Sequence, residues 1–288
     1  LPYVTRHLTT LQRVRRKLLS IAKRRDPVQA LVAYLVQIRG HVLKFDVSRE
    51  PIDRQGTQAQ CPRQVSRVET RDLQRDDFDN PGMVYVDRGL DMWNSAIVKN
   101  GESCAGCHEG PETMAGLRAV TPRVDEKTGA LMTVENYIDA CVTERMGLES
   151  WGWTGNEMKD MLALISIQSR GMTVDVKIDG AAAAFWEKGK EIYYTRFGQL
   201  EMSCANCHED NQGRFIRADH LSQGQINGFP VYRLKDAGIL SAQQRFVGCV
   251  RDTRAETFKP SSDEFKALEL YVASRGNGLT VEGVSVRH

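Results

Sequence analysis

Two stretches of the chain carry apolar side chains at the same helical spacing, and the second lies about a hundred residues after the first. Intervals of three and four residues place such side chains on one face of a helix. The two sets are Val86, Leu90, Trp93 and Ile97, and Phe185, Gly189, Ile192, Tyr193 and Phe197. We therefore predict an amphipathic helix in each stretch, with Gly89 and Trp93 matching Gly189 and Tyr193.

A second amphipathic helix is predicted farther along in each copy. Residues 157–165 and 264–272 are apolar at helical intervals, and each segment is followed by Ser-Arg-Gly, at 169–171 and 274–276. Glycine after the last basic residue is a common helix stop. The repeat is as long as a small domain, not as short as a solenoid repeat. The chain therefore contains two tandem copies of one domain.

The duplication divides the chain into three predicted parts. Residues 71–175 form the first domain, residues 176–288 form the second, and the two join near Val174–Gly180. Residues 1–70 are an N-terminal extension of uncertain structure. Its apolar residues at helical spacing are Leu11, Val14, Leu18 and Ile21. A chain of 288 residues is long enough for two cores.

The most specific signal is the run Cys-x-x-Cys-His, which is the attachment signature of a c-type haem. One turn of chain brings both thiols to the two vinyl groups of a haem, where each forms a thioether, and the histidine then ligates the iron. The run occurs twice, so we predict two covalently bound haems. The residues predicted to hold them are Cys104, Cys107 and His108 in the first copy and Cys204, Cys207 and His208 in the second.

Zinc knuckles are the alternative explanation for two Cys-x-x-Cys pairs. The pairs of a zinc ribbon usually lie about 15–20 residues apart, whereas 97 positions separate Cys107 from Cys204. A histidine directly follows each pair, which zinc does not require. The haem interpretation is favoured and sets the fold class. We predict a mainly α fold of two tandem cytochrome c-like haem domains with long loops, because short helices need the haem to complete a core.

Cysteine usage indicates a compartment. Four of the seven cysteines are used by thioethers, which leaves Cys61, Cys141 and Cys249, and three thiols cannot all pair. Covalent haem attachment takes place outside the cytoplasm, so we predict a periplasmic protein whose export signal has been removed. No segment has the ~18 consecutive apolar residues of a membrane span.

The net charge of +2 is unevenly distributed. Residues 1–70 contain fourteen Lys and Arg against five Asp and Glu, and the rest of the chain is acidic overall. A basic segment is compatible with nucleic-acid or membrane-surface binding. Almost no aromatic residues lie among these charges, and base stacking needs them. We therefore expect a solvated or wrapping extension and no nucleic-acid partner.

The second axial position of each iron needs a ligand, and methionine is the usual one in cytochromes c. The methionine candidates of the first copy are Met132, Met146, Met158, Met161 and Met172. The second copy has no methionine after Met202, which leaves His220 as its conventional candidate. Both copies contain one further shared feature, a cysteine followed by charged residues, at Cys141 and Cys249.

We favour thiolate ligation by Cys141 and Cys249. A disulfide between them is the alternative in an oxidising compartment. Equivalent positions in tandem domains face two separate haems, which argues against the disulfide. Thiolate donation stabilises ferric iron and lowers the reduction potential.

The surroundings of Cys249 indicate substrate chemistry. Arg245, Arg251 and Arg254 lie within ten residues of sequence around it. Guanidinium groups stabilise a thiolate and bind an oxyanion through paired hydrogen bonds. Salt bridges to haem propionates are the alternative role, and Arg245 is the arginine least expected to have it.

Four motifs resemble the SoxA family, the dihaem subunits of the SoxAX cytochromes of bacterial thiosulfate oxidation. They are Ser-Cys-Ala-Gly-Cys-His at 103–108, Ala-Cys-Val-Thr-Glu-Arg-Met-Gly at 140–147, Glu-Met-Ser-Cys-Ala-Asn-Cys-His-Glu at 201–209 and Arg-Phe-Val-Gly-Cys-Val-Arg-Asp-Thr-Arg-Ala-Glu at 245–256. The last motif is highly specific. The resemblance extends from about Asp76 to the C-terminus and does not include residues 1–70.

The resemblance implies an enzyme, an L-cysteine S-thiosulfotransferase. Such a protein pairs with a small mono-haem cytochrome, SoxX, and couples thiosulfate oxidatively to a cysteine of the carrier SoxYZ, with release of two electrons. It further implies that Cys249 ligates the active-site haem and is often found as a persulfide, that Arg245 assists catalysis, and that the haem of His108 and Cys141 is too remote to take part.

Two other functions remain as alternatives. A dihaem electron-transfer protein without substrate chemistry explains both haem motifs but gives the arginines near Cys249 no role. A haem-based sensor whose cysteine dissociates to admit a small gas is the other, and no signalling domain accompanies the haem motifs.

Overall fold

The computed structural model describes residues 68–95, 103–216 and 219–288, and helices dominate them. This agrees with the predicted mainly α class. The prediction for the N-terminal extension lies outside the described residues, apart from its last few positions, and so does Cys61. None of the helices in the described ranges combines the length and hydrophobicity needed to cross a bilayer.

Short helices build both copies. Those of the first copy are α1 (Val68–Arg75), α2 (Met83–Asn94), α3 (Cys104–His108), α4 (Leu117–Val120), α5 (Val134–Ala140) and α6 (Asn156–Ile167). Those of the second are α7 (Ala183–Tyr194), α8 (Cys204–His208), α9 (Ala242–Asp252) and α10 (Asp263–Ser274). The predicted helical periodicity ended at Phe197, but the backbone becomes extended at Thr195, so Phe197 lies outside α7.

One helix crossing organises each copy: α2 packs on α6, and α7 packs on α10. Both crossings are close because glycine occupies the contact point. A Cβ on Gly89 would overlap the Asp160 carbonyl oxygen, and a Cβ on Gly189 would overlap that of Ala267. The predicted equivalence of the two glycines is therefore confirmed by a shared packing role. Trp93 and Tyr193 follow one turn later and are buried in the same way.

Short strands complete the fold. Strands β1 (Arg123–Val124) and β2 (Leu131–Met132) form an antiparallel pair, as do β3 (Phe215–Ile216) and β4 (Asp219–His220). A three-stranded sheet has β5 (Val231–Arg233) at its centre, antiparallel to β6 (Gly238–Leu240) and parallel to β7 (Ser285–Arg287). Gln74 of α1 bonds to the backbone of Val286 and to Arg287, which fixes α1 on this sheet.

The two copies share their hydrophobic cores. Ile239 and Val284 of the second copy pack in the cluster formed around Trp93. Ala119 and Leu131 of the first copy pack in the cluster formed around Tyr193. The copies therefore form a continuous body and are not separated by a flexible linker.

A buried group of charges lies where the copies meet. Arg118, Glu135 and Glu269 are each no more than 5 % exposed. Burial raises the pKa of Glu269 to about 8, and the charge of Glu135 adds to the effect. Burial also raises the pKa of Glu135 and lowers that of Arg118. Two carboxyls and a single guanidinium favour retention of one proton by the carboxyl pair.

Gly189→Ala is expected to lower the free energy of unfolding by about 1–3 kcal/mol, the usual cost of adding a methyl group to a tightly packed contact. Denaturant unfolding of the haem-loaded protein measures it. Gly106→Ala is the control, because a Cβ there meets its nearest neighbour, Ser103 Oγ, at 3.8 Å. Equal losses for the two variants would contradict the proposed packing role.

The buried carboxyls predict a pH dependence of stability. Folding raises the pKa of Glu269 from 4.5 to about 8, so the protonated carboxyl contributes to the free energy of unfolding. This contribution is fully present below pH 4.5 and is lost as the pH rises through 8. Between pH 5 and pH 8 the wild type should lose more free energy of unfolding than Glu269→Gln, by at least about 1 kcal/mol, since one pKa unit corresponds to about 1.4 kcal/mol. Parallel pH profiles would show that Glu269 titrates normally.

Candidate functional site

The second Cys-x-x-Cys-His run is a single helical turn held by a cap at its start. The Ser203 side chain accepts a hydrogen bond from the Asn206 backbone, and the Asn206 side chain accepts one from the Ser203 backbone at 3.0 Å. This reciprocal arrangement fixes the beginning of α8. Because the cap consists of protein groups alone, it orders the turn that carries Cys204, Cys207 and His208 without help from a ligand.

The first Cys-x-x-Cys-His run has only one of these two capping hydrogen bonds. Ser103 Oγ accepts from the Gly106 backbone at 3.2 Å, and glycine has no side chain to return the bond. The Trp93 indole lies with its ring centre 5.9 Å from that of His108. Its Nε1–H donates to the Glu109 carbonyl at 2.8 Å. The tryptophan thus fixes the end of the haem-motif turn.

A cavity of about 270 Å³ opens beside α8. Its lining includes Cys204, Cys207, His208, Arg245 and Cys249, so the structure brings together the predicted site residues of the second copy. Apolar side chains form much of the remaining wall, among them Phe197, Leu200, Met202, Phe229, Phe246, Leu268 and Val272.

The loop after α8 orients His208. The His208 Nδ1 lies 2.8 Å from the Ser222 carbonyl oxygen, and a carbonyl only accepts, so Nδ1–H donates. Nε2 is then the nitrogen available to a metal. Gly224 has φ +77°, and a Cβ on it would lie 3.0 Å from the His208 side chain. The loop therefore holds the imidazole against the cavity from behind.

The two predicted distal cysteines lie in different electrostatic settings. Burial opposes ionisation of Cys249, but Arg245 and His208 outweigh it and lower the pKa of the thiol. Burial raises the pKa of Cys141, the neighbouring Cys107 adds to this, and Arg145 only partly offsets it. Of the two, only Cys249 lies in surroundings that favour a thiolate.

Local structure positions both cysteines. Cys249 is on α9, whose first turn is fixed by a reciprocal cap between Ser241 and Gln244. Cys141 begins a π-helical turn, Cys141–Arg145, that continues α5. Single π-helical turns are frequent at functional sites. Cys141 interacts electrostatically with Cys104 and Cys107, so the thiols of the first copy also converge.

Charged side chains also line the cavity. Arg233, with its side chain only 8 % exposed, forms ion pairs with Asp219 at 3.2 Å and Asp236 at 3.1 Å. Burial would raise the pKa of Asp219, but Lys235 and Arg233 lower it. Arg245 takes part in no ion pair among the described residues and faces the same cavity, so its guanidinium is available to another anion.

Two orphaned polar atoms test whether a haem fits the cavity. His220 Nδ1 and Tyr193 Oη are buried there and have no hydrogen-bond partner within the described ranges. Buried polar atoms are normally paired. A haem would bring propionate oxygens and an iron atom into a largely apolar cavity that already holds the thiols of Cys204, Cys207 and Cys249 and an oriented histidine. The residues present therefore fit a covalently bound haem.

The positions of the described side chains bear on the disulfide and zinc alternatives. The six described cysteines form no disulfide, and Cys141 and Cys249 face different Cys-x-x-Cys-His runs. No cluster of three or more His, Cys, Asp or Glu side chains in the described part of the chain is arranged as a metal site, as a zinc knuckle pair would require.

The methionine candidates do not form a common group. Met158 and Met161 are buried in the hydrophobic cluster of the first copy, and Met172 is 43 % exposed. His220, the conventional candidate of the second copy, does line its cavity, next to Asp219. The assignment of Cys141 and Cys249 as ligands stays a prediction.

Sequence reasoning missed several residues of the cavity. Arg233 and Arg287 reach it from the sheet of β5, β6 and β7, which forms only by long-range pairing. The sequence repeat matches Tyr193 to Trp93, and this match is the signal that could have indicated Tyr193 as a cavity residue. Arg251 and Arg254 are exposed and do not line the cavity.

Comparison with known proteins decides the family. A family model described as SoxA/TsdA, cytochrome c domain, matches residues 88–174 and 188–281. The L-cysteine S-thiosulfotransferase subunit SoxA of Paracoccus pantotrophus is 79 % identical over 219 residues, which is 76 % of this chain and 76 % of that protein. The chain belongs to the SoxA family. The resemblance and the two tandem cytochrome c domains are thereby confirmed, and such domains bind haem c covalently.

Further relatives define the extent of the similarity. SoxA of Pseudaminobacter salicylatoxidans is 42 % identical over 278 residues, which cover 89 % of this chain and 97 % of that protein. This alignment includes part of the N-terminal extension, so similarity to this relative begins before the expected limit near Asp76. The crystal structure of SoxXA from P. pantotrophus matches with a TM-score of 0.76 and 78 % identity, over 77 % of this chain and 84 % of that chain.

Proposed function

We propose that this chain is the catalytic subunit of an L-cysteine S-thiosulfotransferase and couples thiosulfate oxidatively to a cysteine of a carrier protein. One observation carries the proposal: Arg245 and Cys249 lie one turn apart on α9 and line the cavity of Cys204, Cys207 and His208. An electron-transfer protein needs the haem residues but has no need for an arginine beside the distal cysteine. The names of the SoxA relatives support the same activity.

The reaction defines what the cavity must do. The S–H bond of the carrier cysteine breaks, and a sulfur–sulfur bond forms to the outer sulfur of thiosulfate. One proton and two electrons leave. The haem, when bound, supplies an electron acceptor in the cavity. Thiosulfate is a dianion, so the protein must hold it beside a cysteine that itself favours negative charge.

Arg245 meets this requirement. Its guanidinium lies close enough to Cys249 to lower the pKa of the thiol. It presents paired donors that match the oxygens of a sulfonate. Arg233 is held by two aspartates and is less suited to the role. The sulfur of Cys249, or a persulfide built on it, serves as the covalent relay for the transferred group.

The full proposal includes two haems, ligated by His108 with Cys141 and by His208 with Cys249. The electrons leave through a small mono-haem cytochrome subunit, which forms a heterodimer with this chain. The match to SoxXA of P. pantotrophus supports such a partner. The carrier is a SoxYZ-like protein, and the complex works in the periplasm, where covalent haem attachment takes place.

The haem number is tested by mass spectrometry of the denatured chain. We expect two covalent haem additions, and replacement of Cys104 and Cys107, or of Cys204 and Cys207, by alanine should remove one each. A single addition to the wild type would contradict the two-haem proposal.

Arg245→Ala is expected to reduce thiosulfate coupling to the carrier by ~10²–10³, the usual effect of removing one group that stabilises developing charge. Both haems should remain. Arg245→Lys should restore little, because an ammonium group cannot donate the paired bonds. Arg251→Ala is the control, since Arg251 is exposed on the same helix and does not line the cavity.

Cys249→Met separates the enzyme from an electron carrier. This variant should keep its haem with an altered absorption spectrum and lose thiosulfate coupling. Near-normal thiosulfate coupling by Cys249→Met, or equal losses in Arg245→Ala and Arg251→Ala, would contradict the roles proposed for Cys249 and Arg245. A wild type that couples no thiosulfate to the carrier would leave a dihaem electron-transfer protein as the function.

A further inference from the structure

Arg118 of the first copy reaches into the second copy. It lies on α4 and is 5 % exposed. Its guanidinium donates to three backbone carbonyls: Thr121 at 3.4 Å, Ile226 at 2.7 Å and Phe229 at 3.2 Å. Thr121 belongs to the first copy, whereas Ile226 and Phe229 belong to the second. One side chain therefore ties the two copies together.

The segment that Arg118 holds is the loop behind His208, residues 222–230. At one end of this loop the Ser222 carbonyl accepts the His208 Nδ1–H bond, and Gly224 packs against the imidazole. At the other end Ile226 and Phe229 both line the cavity. The loop that orients the histidine is thus anchored by a residue of the other copy.

Carboxyl groups of both copies act on the buried guanidinium of Arg118. Glu135 of the first copy and Glu269 of the second both act on its guanidinium. Glu269 accepts a hydrogen bond from Gln243 at 2.9 Å. Gln243 is in the first turn of α9, the helix of Arg245 and Cys249. Arg118 is therefore linked to both sides of the second haem site, directly to the loop and through Glu269 to the helix.

We propose that Arg118 is a positioning residue through which the first haem domain sets the redox potential of the second haem. The inference rests on the two-haem proposal above. It gives the first copy a role in the chemistry of the second that does not require electron transfer between the two haems.

The physical reason lies in the His208 hydrogen bond. A carbonyl that accepts from the second nitrogen of a ligating histidine makes the imidazole a stronger donor. Stronger donation stabilises ferric iron and lowers the potential. The effect depends on a Ser222 carbonyl that stays in place, and Arg118 restrains the loop that carries it.

The loop has other anchors that should keep it folded when Arg118 is changed. The Asn227 side chain donates to the Thr280 carbonyl at 2.8 Å, and its own carbonyl accepts from the Glu282 backbone at 3.0 Å. We therefore expect an Arg118 variant to loosen the loop without detaching it.

The test uses Arg118→Lys, which keeps the buried charge but cannot hold the Ile226 and Phe229 carbonyls together, and Arg118→Met, which removes the charge. The full haem-loaded chain is titrated by spectroelectrochemistry, and a Cys141→Met background identifies the signal of the first haem. Amide hydrogen exchange is followed in the peptide that spans 222–230. Arg88→Gln is the control, because Arg88 pairs with Asp160 at 2.6 Å within the first copy.

We expect the potential of the second haem to rise in Arg118→Lys and to rise further in Arg118→Met, while that of the first haem stays unchanged. Exchange in 222–230 should be faster by about tenfold or more, as for a loss of about 1.4 kcal/mol of local stability. Arg88→Gln should change neither quantity.

An unchanged second potential in Arg118→Lys would overturn the inference, and so would equal shifts of both haems, which indicate a general loss of structure. If Arg118→Met fails to fold, Arg118→Lys decides. The outcome is independent of turnover: a shifted second potential in a protein that does not couple thiosulfate would leave this inference standing and overturn the proposed function.

Discussion

The close crossing of two helices at a glycine determines the rest of each copy. Because Gly89 and Gly189 lack a side chain, the backbones of α2 and α6, and of α7 and α10, come into direct contact. Each crossing places an aromatic residue, Trp93 or Tyr193, beside the Cys-x-x-Cys-His turn that follows. Helices this short cannot close a core alone. In the second copy the crossing forms one wall of the cavity whose residues fit a haem.

The same framework provides two different chemical settings. At Cys249, Arg245 and His208 outweigh burial and lower the pKa of the thiol, whereas at Cys141 burial and the neighbouring Cys107 raise the pKa. The difference arises because α9 carries an arginine one turn before its cysteine, while Cys141 follows α5 in a π-helical turn with Arg145 exposed. Duplication supplied two Cys-x-x-Cys-His sites, and a few charged residues make one of them suitable for an anionic substrate.

Local patterns allowed much of this to be predicted. The haem motifs, the duplicated helices and the matching glycines depend on spacing within short segments, and so does the position of Arg245 relative to Cys249. Other features depend on contacts between distant segments. Arg233 reaches the cavity because β5 pairs with β7 more than fifty residues later. Arg118 is in a short segment with no periodic pattern, and nothing there indicates that it binds carbonyls of the other copy.

The central claim is that the cavity joins thiosulfate to a cysteine and does not merely pass electrons. The most direct measurement counts products and electrons together, in an anaerobic reaction of the protein with thiosulfate, a thiol-bearing carrier and an oxidised cytochrome acceptor. We expect the acceptor to take up two electrons for each carrier cysteine that gains a thiosulfate group, which mass spectrometry of the carrier detects. Reduction of the acceptor with an unmodified carrier would contradict it.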